Sequence, residues 1–279
     1  MRKFMLLSLL AVGCSGDGTD GTTEGPTTDP VVDEANKAPA EVSPEELKEK
    51  ADNIALVPSP AEMDKALERA GIATKLADIV PDRKLKMDVP NEDQVAVRTG
   101  VILADLLLTV RNASPEARVK HLEDIKTGMN QLGAGGDIAA TIDDLSARIT
   151  NGAVSDDDLV KELDEISGAL IPEIEYEAGE RSVPLIEAGS WLAGANLVSQ
   201  AIIDTGKYDA ATDLLKQPAV VEYFQGYVKT EGQDKAPEGV TAQLETTLDT
   251  LAEICTHETF SEEDVKAINK TTADVHALL

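Results

Sequence analysis

The sequence predicts an all-α protein, an irregular multi-helix bundle, and three observations carry that prediction. Hydroxyl residues recur just before proline or acids, as in Ser43-Pro44, Ser59-Pro60, Ser114-Pro115, Ser155-Asp156 and Ser261-Glu262. That pattern satisfies the free N–H groups of a helix start, where a proline's missing N–H costs nothing. Glycines close apolar-periodic runs at Gly71, Gly133, Gly152 and Gly206, as helix stops do. No run of alternating β-branched residues competes with the three-to-four-residue spacing of the apolar positions.

The chain opens with Arg2 and Lys3, followed by a largely apolar stretch from Phe4 to Val12 that stops at Gly13-Cys14. At about 1.5 Å per residue this stretch covers roughly half of a hydrocarbon core about 30 Å thick, so it is an address and not a span. Residues 1–13 resemble a bacterial lipoprotein signal peptide. The box reads Ala11-Val12-Gly13-Cys14, with Leu10 one place further back than the leucine such boxes usually carry. The resemblance implies lipidation of Cys14, a lipid anchor and a bacterial envelope location. Ser15 after the cysteine implies the outer membrane, facing the periplasm.

Residues 14–42 form the second expected unit, the lipidated Cys14 and a flexible acidic linker. From Ser15 to Val42 the chain is rich in Gly, Thr, Asp and Pro and poor in bulky apolar groups, so it buries too little surface to offset the entropy of ordering. Its root-mean-square span as a random coil is roughly 30 Å. Asp17, Asp20 and Glu24 lack the alternating acids, glycine and distal Glu of a calcium loop.

Residues 43–279 are the helical domain. Periodicity places helices near 44–56, 60–70, 91–111, 115–132, 138–150, 156–171, 184–205, 208–216, 218–229, 238–257 and 262–278. Two of them, 91–111 and 184–205, are apolar around most of their circumference and so have to be enclosed by other helices. Gly189, Gly194 and Ala195 are expected to let a neighbour come close on the Trp191 side. Neither helix reads as a membrane span: Arg98 and Asp105 interrupt one, Glu187, Asn196 and Gln200 the other.

Helix 91–111 keeps one narrow polar stripe of Gln94, Arg98, Asp105 and Asn112. Arg98 and Asp105 lie about 10 Å apart along the axis. They are either a structural stripe or, with Tyr223 and Tyr227, the ligand-facing groups of a binding site. Cys255 continues the seam of Leu244, Leu248 and Leu251 and is expected to be a buried, inert thiol. His257, two residues on, projects from another side of the helix.

Metal and catalytic patterns were sought among the three histidines. The residues three before His121, His257 and His276 are Arg118, Ile254 and Ala273, so the Glu-x-x-His pairs of a di-iron bundle are missing. The nucleophile elbow, H-E-x-x-H and the phosphate-binding loop are also absent. Glu173, Glu175, Glu177 and Glu180 follow Pro172 at spacings that point them different ways, as on a solvated face. No catalytic residue, metal ligand or cofactor is assigned.

The chain carries 52 acids against 25 bases, a net charge of −27, which excludes nucleic acid as a partner class. Such a body is repelled by anionic lipid surfaces, so residence there requires the anchor. A basic envelope protein or divalent cations are its electrostatic complements.

Pro58-Ser59-Pro60-x-Glu62 leading to Gly71-Ile72, Gly100-Val101 with Ala104-Asp105-Leu106, and Gly189-x-Trp191 with Gly194 resemble a family of uncharacterised helical lipoproteins of Gram-negative bacteria. The resemblance spans roughly 55–230; Ile102 stands where that family usually has tyrosine. It implies a helical, membrane-tethered periplasmic body and supplies no catalytic residues. Two functional classes follow: a non-enzymatic interaction or scaffolding lipoprotein, or a small-ligand or metal-binding module in which Arg98, Asp105, Tyr223 and Tyr227 converge on a pocket.

Overall fold

The computed structural model describes residues 57–72, 76–80, 85–178, 182–230, 238–277 and 279. The signal peptide, Cys14, the linker and the helix expected at 44–56 lie outside them. Across the described residues 79% are helical and none is in a strand, as the all-α reading expects. The helices are α1 (Pro60–Arg69), α2 (Leu76–Ile79), α3 (Glu92–Thr109), α4 (Pro115–Gln131), α5 (Gly136–Thr150), α6 (Asp156–Ala178), α7 (Ser182–Thr205), α8 (Ala211–Leu215), α9 (Pro218–Thr230), α10 (Glu238–Cys255) and α11 (Glu262–His276).

Local chemistry sets the boundaries. The Ser59 hydroxyl accepts the Glu62 N–H at 3.2 Å while the Glu62 carboxylate accepts the Ser59 N–H at 2.9 Å, a reciprocal capping box. Ser261 and Asp264 repeat it at α11, and Ser114 and Ser155 cap α4 and α6 through their hydroxyls. Asn91, which the sequence reading did not single out, accepts the Gln94 N–H at 2.9 Å and starts α3. The four glycine stops, Gly71, Gly133, Gly152 and Gly206, are the glycines of positive φ among the described residues, a conformation in which a Cβ is strained.

Three elements depart from expectation. Helix α6 continues through Pro172 to Ala178 rather than ending at 171; a proline removes one N–H bond but does not force a stop where neighbouring turns hold. The stretch 208–216 is a 3-10 turn, Tyr208–Ala210, followed by the short α8. Helix α2 was not anticipated; four residues are too few for a periodic signal.

The centre is the pair α3 and α7, the two helices expected there, lying side by side in the same direction: Val97 stands by Gly189 and Leu108 by Gly194. Their backbones touch. A Cβ on Gly100 would stand 2.0 Å from the Ile186 carbonyl oxygen, and one on Gly189 would stand 2.1 Å from that of Val97. Each helix thus supplies the gap into which the other's main chain fits. Ala104 and Ala193, one turn beyond each glycine, are fully buried in the same seam with Val101. Gly189 therefore faces α3 and does not open the Trp191 side; it is Gly194 that makes room for Met63 of α1.

Both helices are apolar all round because each has two jobs. The remaining faces of α3 send Val95, Ile102, Leu103, Leu106 and Leu107 into a core shared with Leu122, Ile125 and Met129 of α4, Ile142 and Leu145 of α5, and Leu159 of α6. Those of α7 send Trp191, Leu197, Val198 and Ile202 into a second core with α1, Val221 and Phe224 of α9, Leu251 of α10, and Ile268 and Val275 of α11. No described helix is long and apolar enough to cross a membrane.

Polar side chains fix the register of the second layer. The buried Asn196 amide of α7 donates to the Asn269 carbonyl oxygen at 3.0 Å and to the Thr272 hydroxyl at 3.1 Å. Asn269 of α11 answers, donating to the Asn196 carbonyl oxygen at 3.1 Å and the Ser199 hydroxyl at 3.2 Å. Thr271 donates to the Thr247 hydroxyl at 3.1 Å, tying α10 to α11. Lys207 donates to the terminal carbonyls of α1, Ala70 and Gly71, as a cation at a helix C-terminus should.

The amide exchange carries a measurable share of stability. Asn196→Ala should lower it by about 1–3 kcal/mol, through loss of the amide's bonds to the Asn269 carbonyl oxygen and the Thr272 hydroxyl. Urea denaturation followed by circular dichroism measures the loss, and a change below about 0.5 kcal/mol would contradict the tie between α7 and α11.

Candidate functional site

Arg98 and Asp105 are both buried on α3. The Arg98 guanidinium donates to the main-chain oxygens of Lys86 and of Leu279, 12 positions before it and 181 after it. Burial draws its pKa down from the ordinary guanidinium value. Leu279 and Leu85 pack beside Val101, Ala104 and Ala193, so Arg98 clips two distant segments over the α3–α7 seam. Arg98 is thereby engaged with the main chain.

One cavity among the described residues involves one of the four singled-out residues. It lies along the side of the central pair, where α9 and α10 close over α3 and α7. Its walls come from one face of each helix: Asp93 and Val97; Leu185, Ala188, Trp191 and Leu192; Phe224, Tyr227 and Val228; and Thr241, Leu244 and Leu248. The spacings within each set are those of a single helical stripe. The volume is about 50 Å³. Tyr227 lines it, whereas Arg98, Asp105 and Tyr223 do not. Arg98 is turned toward Lys86 and Leu279 instead, so this cavity does not bring Arg98, Asp105, Tyr223 and Tyr227 together.

Trp191 forms the inner wall. Its indole N–H donates to the Gln217 side-chain oxygen at 2.6 Å, and its ring lies 5.4 Å from that of Phe224, tilted by 31°. Tyr223 packs on the other side of Phe224, with centroids 5.0 Å apart. On its far side Trp191 borders a smaller void of about 20 Å³ shared with Met63, Gln217 and Cys255. Trp191 thus partitions two apolar spaces while its one polar atom is satisfied.

Among the described residues the polar members of the larger cavity's wall are Asp93, Tyr227 and Thr241. Asp93 is buried, with 6% of its surface exposed. Burial holds the half-buried Glu187 carboxyl above the usual carboxylate range. Burial, and then the charge of Glu187, push the Tyr223 hydroxyl up, so it remains a neutral phenol at pH 7. Asp93 carried no mark in the sequence, and Glu187 appeared only as a charge interrupting an apolar helix. The four-residue spacing of Asp93 and Val97 was legible; which stripes would meet was not.

The remaining candidates resolve separately. Cys255 is half-buried, more open than expected. Burial raises its thiol pKa against the opposing effects of the Gln217 backbone and Lys216, which keeps it protonated. His257 lies 3.0 Å from an Asp264 oxygen, so its partner is the α11 cap. Burial raises the Asp264 pKa, but the Ser261 backbone and hydroxyl bonds and His257 outweigh it and hold the carboxyl low. The side chains of Glu173, Glu175, Glu177 and Glu180 lie outside the described set. Among the described residues no group of three or more His, Cys, Asp or Glu is placed to hold a metal ion.

No protein-family model, no curated protein and no solved structure matches this chain.

Arg98 gives the sharpest test of a structural stripe. Arg98→Met should lower unfolding stability by about 2–4 kcal/mol, through loss of charge-assisted bonds to two main-chain oxygens. Arg98→Lys should recover only part of it, since an ammonium lacks the planar fork. Native Trp191 emission should stay unchanged in both. A loss below about 0.5 kcal/mol in Arg98→Met would contradict the clip.

Proposed function

We propose that this protein is a lipid-anchored, non-enzymatic interaction protein of a bacterial cell envelope, held at a membrane through Cys14 and engaging a basic envelope protein with its acidic helical body. The single observation that carries the reading is Cys14 itself, placed directly after a short apolar stretch with two basic residues before it. The resemblance to helical Gram-negative lipoproteins points the same way and favours the periplasmic face of the outer membrane.

Charge supports the partner class. Residues 43–279 hold 45 acids against 22 bases, so long-range steering favours a cationic surface. The interior supports a non-enzymatic role: the polar groups of Arg98, Asn196, Asn269, Thr247 and Thr271 are engaged in holding helices together. The titratable groups nearest to a catalytic pattern, Cys255 and His257, face different neighbours. Divalent cations are a further electrostatic complement of the acidic surface. The cavity beside Trp191 favours a second reading, in which the body also holds a small ligand.

Expression in a Gram-negative host tests the anchor and the partner together. Mass spectrometry of the mature protein should show a chain beginning at Cys14 and carrying acyl groups, and Cys14→Ser should leave the membrane fraction. Cross-linking in the envelope should recover a reproducible basic protein with the acylated form. An unmodified N-terminus, or a Cys14→Ser variant that still sediments with membranes, would contradict the anchor; recovery of lipid alone would contradict the interaction role.

A further inference from the structure

We propose that the open groove between α1 and α8 is a binding site for a small zwitterion with apolar side chains, of the size class of a dipeptide. The groove shares no lining residue with the cavity beside Trp191 and is a separate site on the body.

Room and rigidity come first. The groove holds about 320 Å³, at the lower end of the ~300–1,000 Å³ range of small-molecule sites. Met63 and Val198 supply its apolar floor, with Ala66 and Leu214 beside them. Met63 and Val198 belong to the core around α7, so packing fixes that floor. The walls are tied as well. Lys207 donates to the Ala70 and Gly71 carbonyl oxygens at 3.2 and 2.7 Å, joining the end of α1 to the segment that leads into α8.

Both signs of charge stand on these walls. Glu62 and Arg69 come from one stripe of α1, with Ala66 between them, and Asp213 comes from α8. The Arg69 Nε donates to the Lys65 carbonyl oxygen at 3.2 Å. That bond braces the guanidinium along its own helix and leaves its terminal amino groups to grip a carboxylate by both oxygens. Gln217 is braced from within. Its side-chain oxygen accepts the Trp191 indole N–H at 2.6 Å, so its amide N–H groups are the donors it offers the groove. A ligand bearing only a carboxylate meets Glu62 and Asp213 together with Arg69, and one bearing only an ammonium meets Arg69. A zwitterion has a complementary partner for each end.

Isothermal titration calorimetry of the full chain carrying Cys14→Ser tests the site with three probes that share their side chains. These are leucyl-leucine, N-acetyl-leucyl-leucine, which lacks the ammonium, and leucyl-leucine amide, which lacks the carboxylate. Saturable binding is expected for the free dipeptide, about three- to tenfold tighter than for either capped form, as one charge-assisted contact at a part-exposed site provides. Arg69→Gln should weaken the free dipeptide by about that factor and leave the amide form unchanged. Asp213→Asn should weaken the free dipeptide likewise and leave the N-acetyl form unchanged. Both side chains are exposed, so circular dichroism should show the parent fold in each variant. Capped forms that bind as tightly as the free dipeptide, or folded charge variants of unchanged affinity, would overturn the zwitterion assignment. Absence of saturable binding with all three probes would overturn the site.

Discussion

The contact on which the rest of the molecule depends is the meeting of two bare backbones, α3 at Gly100 and α7 at Gly189. Each glycine lies against the other helix's main chain at a distance that leaves no room for even a methyl group. Small residues repeat at four-residue spacing on both sides, Ala96, Gly100 and Ala104 on one helix and Gly189 and Ala193 on the other, which is how helices come into close apposition. With the seam this thin, both helices keep most of their circumference for other neighbours. Hence one central pair carries two cores: the α4–α6 layer packs against α3, and α1 with α8–α11 packs against α7.

A two-sided centre also explains the polar groups inside it. A helix enclosed on all sides has no solvent face on which to place them, so each must be satisfied by protein. Arg98 answers this by gripping Lys86 and Leu279, and Asn196 by exchanging bonds with Asn269. These groups hold distant parts of the chain over the seam. The cavity beside Trp191 lies along the same pair, where α9 and α10 close over it.

What the sequence made legible was local. A hydroxyl just before a proline or an acid, or a glycine after an apolar run, acts through its immediate neighbours, so the caps at Ser59, Ser114, Ser155 and Ser261 and the turns at Gly71, Gly133, Gly152 and Gly206 were readable in place. The two enclosed helices were readable from their lack of a polar face. Pairings were not: nothing in the spacing of Arg98 points to a residue 181 positions away, and nothing in Gly189 names Val97. The cavity shows the same division. Tyr227 could be marked as half-polar and aromatic, yet Asp93 and Glu187 acquire meaning only once four helical stripes face each other. The continuation of α6 past Pro172 likewise depends on more than its local sequence.

The thinness of the α3–α7 seam is tested most directly by a pair of glycine substitutions compared in urea denaturation. Gly226, an exposed position on α9 with open space where a Cβ would be, serves as the reference: Gly226→Ala should stabilise by about 0.5–1 kcal/mol through helix propensity alone. Gly189→Ala has the same propensity gain but must drive the Val97 carbonyl away, and should instead destabilise by about 2–4 kcal/mol. A Gly189→Ala protein as stable as its parent or more so would show that the two backbones do not touch.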